Sequence, residues 1–200
     1  MKITAIKQQV KRTDRYSVFV DEKYAFSLSE SGLISSRLVS GQEVTGPELQ
    51  ALKAVAGLDK VYGNALRYVA MRPRSEWEMQ DYFRRKGIDP EAGQQIIERL
   101  RGVGLMDDAA FARAWVSNRR LLKSTSLRRL RMELKQKHVP EDIITLVLSE
   151  DETDERDSLR QLVAKKQARY PDRQKFMMYL ARQGFSFDDI KSVLDEPLED

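Results

Sequence analysis

Cysteine is absent from this chain of 200 residues, and histidine occurs once, as His138. The first absence excludes a disulfide framework and any thiolate metal site. The second matters because no Asp–His pair or nucleophilic serine arrangement surrounds His138, so no acid–base or nucleophilic constellation can be assembled. Gly102 and Gly104 are too few for a phosphate-cradling loop, and no Lys-Ser/Thr follows them. No apolar run approaches the roughly 20 residues of a membrane-spanning helix. Met1 leads into lysine-rich alternation rather than a charged start and an apolar run, so no signal peptide is expected. These absences point to a cytoplasmic protein that is not an enzyme, with no catalytic residues, no metal and no cofactor.

Charge is what the chain has in plenty. Charged residues make up 33% and apolar residues 41%, enough for a core beneath helices with charged outer faces. The net charge of +4 conceals a segregation. From Ala112 to His138 there are nine basic residues, with Glu133 the sole acid, a balance of +8. From Glu141 to Asp157 there are eight acids against Arg156, a balance of −7. A basic block beside an acidic one forms an electrical dipole and points to an anionic partner docking at a defined place.

The opening of the chain differs in kind from the rest. Ile3–Ile6 and Tyr16–Val20 are short β-branched and aromatic runs. Lys23–Leu28 alternates with period two, which places Tyr24, Phe26 and Leu28 on one face. Asp21-Glu22 reads as a tight turn. About three antiparallel strands are expected, since a lone hairpin is marginal in water. Gly41 and Gly46-Pro47 then punctuate the chain, and Pro47 suits the first turn of a helix running to about Leu58.

After Tyr62 the pattern is helical and it repeats. Ser75, Ser126 and Asp172 are each helix-capping residues. Four positions on stand Met79, Leu130 and Phe176, and eight on stand Phe83, Leu134 and Leu180, one buried helical stripe in each copy. Twelve on come Gly87, His138 and Gly184, followed by Ile88, Val139 and Phe185. A left-handed residue with an apolar residue after it is a Schellman-type stop. Ile96 with Leu100, Ile144 with Leu148, and Ile190 with Leu194 mark a further helix, and leading helices are expected over 65–71, 109–122 and 159–168. Three short helices per copy describe tandem modules that share a core with their neighbours.

The fold class expected is therefore mainly α: tandem three-helix, helix-turn-helix-like repeats in an extended array, preceded by a small β-rich N-terminal unit. The boundaries are 1–46 for the β unit and 47–60 for a connecting helix. The repeats then cover 61–106, 107–150 and 151–200.

The run Ala65-Leu66-Arg67-Tyr68-Val69-Ala70-Met71-Arg72-Pro73-Arg74-Ser75 resembles the RecX family of regulatory proteins. So do Phe83-Arg84-Arg85-Lys86-Gly87 and the stretch from Leu100 to Ala112, with glycines before Asp107-Asp108 and then Phe111-Ala112. The likeness runs from about Tyr62 to Leu194, and the β-rich start resembles an extension carried by some members. Membership would imply binding to RecA filaments on DNA, lodged in the filament groove. It would also imply depressed ATP hydrolysis and strand exchange, and some affinity for DNA itself. His138 departs from the family's usual glycine, which implies a strained or shifted helix stop. Ser124-Thr125-Ser126 lacks the glycine often found before that helix.

Asp107-Asp108 reads as a helix N-terminus, where carboxylates cap free N–H groups, and Ser75 with Glu78 has capping-box spacing. Trp77 and Trp115 stand at core spacing, with base stacking the alternative. The functional weight falls on the basic block. Leu127, Leu130 and Leu134 mark its buried stripe, which leaves Arg128, Arg129, Arg131 and Lys135 for phosphates. Arg119, Arg120 and Lys123 precede them on the leading helix, and Arg84, Arg85 and Lys86 end the equivalent helix of the first copy. With the resemblance, these residues become candidate contacts to a RecA filament and to single- or double-stranded DNA, made by a monomer that bridges filament subunits. The alternative is a helix-turn-helix-like architectural or transcription factor acting without RecA, although few Asn or Gln residues stand beside the arginines for base readout. A nuclease would need clustered carboxylates for metal.

Overall fold

The computed structural model describes residues 1–196; the last four positions of the expected third repeat lie outside the described residues. Packing divides the chain into two units, Met1–Pro73 with Tyr82–Leu105, and Arg74–Asp81 with the chain from Met106 onward.

In the first unit the β-branched runs pair as strands β1 (Ile3–Gln8), β2 (Arg15–Val20) and β3 (Lys23–Ser29), antiparallel in the order β1-β2-β3. Asp21 and Glu22 both have positive φ, +47° and +67°, the left-handed pair that a two-residue hairpin loop demands. The register slips between Val18 and Phe19, so Val18 faces Phe26 while Phe19 faces Tyr24. That bulge corrects the expected face. Phe26 and Leu28 are buried, but Tyr24 is turned out to 59% exposure and meets the edge of Phe19.

A seven-residue helix that periodicity did not indicate, α1 (Glu30–Ser36), starts at Ser29, whose Oγ accepts from the Gly32 N–H. Helix α2 (Gly46–Met71) begins with a capping box in which Thr45 and Glu48 accept each other's backbone N–H, with Pro47 in the first turn. It is one helix of 26 residues, where the sequence pattern called for a connecting helix and a separate leading helix. No proline interrupts 58–65, and Asp59, a residue type that could cap a new helix, is instead held midway along this one. The Asp59 carboxylate pairs with Arg15 at 3.0 Å and accepts from the Ser29 N–H at 2.8 Å, a buried link from sheet to helix. The core above it comprises Ile3, Val18, Val20, Phe26, Leu28, Leu38, Val44, Leu49 and Ala56. Helix α3 (Glu76–Arg85) contributes to both units, and α4 (Pro90–Gly102), capped by Asp89, completes the first.

The second unit holds α5 (Asp108–Leu122), α6 (Leu127–Gln136) and α7 (Glu141–Ser149), then α8 (Glu155–Lys166), a 3-10 turn at Gln167–Arg169, α9 (Arg173–Arg182) and α10 (Phe187–Asp195). The repeat positions behave alike. Met79, Phe83, Leu130, Leu134, Phe176 and Leu180 are all buried, and Gly87, His138 and Gly184 all take positive φ, +65°, +54° and +99°. The Val139 N–H donates to the Leu134 carbonyl as Ile88 does to Phe83, so the stop at His138 is neither shifted nor lost. Its imidazole stacks on Trp77 with ring centroids 4.1 Å apart.

A joint recurs twice in this unit. The Ser75 Oγ accepts from the Glu78 N–H and donates to the Lys137 carbonyl at 2.9 Å, just before the left-handed His138. The Ser126 Oγ accepts from the Arg129 N–H and donates to the Gln183 carbonyl at 2.7 Å, just before Gly184. Beside each serine an acid from the first turn of a following helix takes the next free N–H. Asp108 accepts from Glu76, and Glu155 accepts from Leu127. Gly184 is required at the second joint, because a Cβ built there would fall on the Ser126 hydroxyl. The Asp107-Asp108 pair thus divides its labour: Asp107 caps α5 through the Ala109 and Ala110 N–H groups, and Asp108 caps α3.

Candidate nucleic-acid interface

Helix α6 forms because leucines at 127, 130 and 134 give it a single apolar stripe, with Ser126 as cap; Leu130 and Leu134 are wholly buried. The cations between them are thereby forced outward. Three of the four on the helix, Arg129, Arg131 and Lys135, do not stand free. Glu133 is the hub of one cluster, accepting from Arg119 Nε at 2.6 Å and from Trp115 Nε1 at 2.9 Å, with Arg129 Nε at 3.5 Å. The Arg119 guanidinium and Lys137 Nζ lie over the Trp115 ring, and Lys137 also pairs with Glu78 at 2.8 Å. Trp115 is therefore part of the second module's packing against Phe111 rather than an open stacking platform. Outside this cluster, Arg131 and Lys135 share Glu141.

Arg120 lies elsewhere. Its side chain is 11% exposed and bonds to Asp151, only 7% exposed, with Glu155 at 3.9 Å, while its Nη1 donates to the Thr125 carbonyl and the Ser158 hydroxyl. A guanidinium enclosed in this way pins α5 to the start of α8 and spends its hydrogen bonds inside the fold rather than on an outside phosphate. Arg113 is likewise bidentate on Glu150. The two charge blocks of the sequence therefore fold onto each other, with Glu141, Glu150, Asp151 and Glu155 taking up cations of the basic stretch. The acidic run acts as an internal counter-charge as well as a linker. Burial works to raise Asp151, but hydrogen bonds from Arg120 and Thr153 outweigh it and hold the carboxyl below its ordinary range. Glu155 moves the opposite way, pushed up by burial.

What remains outward is narrower than the sequence block. Arg128 is exposed and has no acidic partner among the described residues; Arg129 beside it is half exposed and also reaches the Gln183 side chain. With Arg119, Arg131, Lys135 and Lys137, the α6 region carries six cations against Glu78, Glu133 and Glu141, a surplus of three. Lys123, exposed at the C-terminus of α5, adds a further charge with no acidic partner among the described residues. Arg84 and Arg85 are exposed in the last turn of α3, with Lys86 exposed just after it, and all three belong to the first unit. Their placement there suits the negative end of the helix dipole. Among the described residues no group of His, Cys, Asp and Glu is arranged to hold a metal ion, and no helix is long and apolar enough to cross a membrane.

Four family models match the chain in order. They are the regulatory protein RecX N-terminal domain over 1–45, and the first, second and third RecX three-helix domains over 62–100, 107–148 and 153–194. A regulatory protein RecX from Lactobacillus johnsonii is 37% identical over 76% of this chain, which spans 56% of that relative's length. RecX proteins of Bacillus subtilis and Bacillus licheniformis are 30% and 32% identical over 97% of the chain, which spans 76% of each. A crystal structure of a regulatory protein RecX superposes with a TM-score of 0.78 at 30% identity, covering 98% of this chain and 99% of that one. The RecX crystal structure from Lactobacillus salivarius shares the fold, with a TM-score of 0.61 at 24% identity over 68% of this chain and 94% of that one. With these matches added to the repeat and its joints, the chain belongs to the RecX family of regulatory proteins.

Proposed function

We propose that this protein binds RecA filaments assembled on DNA and restrains their ATP hydrolysis and strand exchange, acting by binding and not by chemistry. The contact surface is the α6 face of the second three-helix domain, with Arg128 and Arg129 at its centre and Arg119, Lys123, Arg131 and Lys135 around them. The observation that carries this reading is the surplus of cations there, headed by Arg128 with no carboxylate of its own. Exposed ion pairs such as Arg131–Glu141 hold their partners weakly and exchange readily for a phosphate. Arg120 is left out of the surface, since its pairing is internal. The sole histidine supports a binding role, because it is engaged in a helix stop and a ring stack.

The mechanism is steric and electrostatic. Three-helix domains seated on the filament hinder the subunit rearrangements that hydrolysis and strand exchange require. Charge reversal of Arg128 and Arg129 with Arg131, measured as inhibition of RecA's DNA-dependent ATPase, tests the surface. Titration of naked duplex in the presence and absence of RecA separates this reading from a factor that acts on DNA alone.

A further inference from the structure

The N-terminal unit holds a second basic surface, apart from α6 and built from different elements. A groove of about 480 Å³ runs between the sheet and α2, lined among others by Gln9, Arg12, Tyr24, Lys53, Gly57 and Lys60. We propose that this groove binds single-stranded nucleic acid.

Its chemistry is one-sided. Arg15 also lines it, but that guanidinium is neutralised by Asp59, and no carboxylate is among the lining residues described. Lys53 and Lys60 are exposed and have no acidic partner among the described residues. They stand two turns apart on one face of α2, about 10 Å along its axis. Arg12 faces them from the β1–β2 loop, with only a 4.0 Å approach to Asp14. These three cations can follow a backbone of alternating phosphates.

Two further features point to a strand with bases rather than to an acidic peptide. Gly57 sits between the lysines, and nothing lies within 4 Å of where its Cβ would be. Glycine weakens a helix interior, and nothing in this fold crowds the position; what it provides is room for a ligand to lie against the helix backbone. Tyr24, turned out by the bulge in β3, offers an aromatic ring at the same groove. A cationic track with an exposed ring beside it is the arrangement by which proteins hold single strands without reading sequence. A peptide of aspartates and glutamates would use the cations and leave the ring idle.

The experiment uses the full chain, with no RecA present, and a fluorescein-labelled oligo-dT followed by anisotropy across a salt series. The Lys53→Glu/Lys60→Glu variant, checked as folded by circular dichroism, should bind at least about tenfold more weakly, with the log–log salt slope reduced by about one unit or more. Tyr24→Ala should lose about fivefold or more while keeping its salt slope, as a stacking contact requires. Repeating the comparison in an Arg128→Glu/Arg129→Glu background isolates the groove from α6. Unchanged affinity and slope in the lysine variant would overturn the proposal. So would a Tyr24→Ala variant with parental affinity together with equal competition by a poly-glutamate peptide, which would assign the groove to an acidic protein segment. Because no filament is involved, failure here leaves the RecA reading standing, and failure of that reading leaves this one.

Discussion

The two serine joints make a prediction that a simple capping role does not. At Ser75 and Ser126 one hydroxyl accepts a helix N–H and also donates to the carbonyl at Lys137 or Gln183. Both serines are completely buried. Substitution by alanine removes a helix cap, costing about 1 kcal/mol. It also leaves a carbonyl that water cannot easily reach without its donor, costing about 1–3 kcal/mol more. Each variant should therefore lose about 2–4 kcal/mol in total. Asp172 is the control. It occupies the equivalent place in the third copy and caps α9 through the Gln174 and Lys175 N–H groups, but it is exposed and can donate nothing. Asp172→Ala should cost only the cap, about 1 kcal/mol. Urea unfolding followed by helical circular dichroism measures all three, and Ser126→Asp, which keeps the acceptor and loses the donor, should be at least as unstable as Ser126→Ala. If Ser75→Ala and Ser126→Ala cost no more than Asp172→Ala, the joints contribute nothing beyond capping and the argument fails.

The acids around Arg120 predict opposite responses to pH. Asp151 is depressed when folded, so its contribution is present above the unfolded aspartate range and is lost as pH falls through the folded value. Asp151→Asn should therefore cost about 2 kcal/mol at neutral pH and converge on the parent in strong acid. Glu155 is raised by burial, so its ionisation opposes folding at neutral pH. Glu155→Gln, which still offers Leu127 an acceptor, should be neutral or mildly stabilising at pH 7; a loss as large as that of Asp151→Asn would contradict the assignment. At the second helix stop, His138 combines a left-handed backbone with a stack on Trp77. His138→Ala keeps the strain and loses the stack, for about 1 kcal/mol of destabilisation, whereas His138→Gly trades one for the other and should stay within about 0.5 kcal/mol of the parent. A His138→Ala variant as stable as the parent would remove the ring stack from the account, and equal melting temperatures for the two variants would remove the backbone strain.

The repeats were legible because their signals are local. A cap, two core positions four apart and a left-handed stop fit within about a dozen residues, so Ser126, Leu130, Leu134 and His138 announce their helix unaided. What escaped sequence reading depended on distance or on backbone detail. The bulge that turns Tyr24 outward is a matter of register against β2. The fusion of two expected helices into α2 went unseen because no proline enforces the break that the repeat pattern suggested, and the carboxylate of Asp59 is taken up by Arg15 and Ser29, distant in sequence. The candidate surface was the least legible. Arg120 and Asp151 are 31 residues apart, yet they meet within one unit, and so do Arg113 and Glu150 at 37. A signal for this existed in the nearly equal and opposite charges of two consecutive blocks. Read as a dipole facing outward, it is in large part a charge pairing facing inward.

Inhibition of RecA's DNA-dependent ATPase by an Arg128→Glu/Arg129→Glu variant tests the account most directly. These arginines are exposed, and their loss should leave the unfolding midpoint close to the parent's. The account predicts that the variant needs at least about tenfold more protein for half-inhibition, in line with two lost phosphate-type contacts. Full inhibition at the parent's concentration by a folded variant would contradict it.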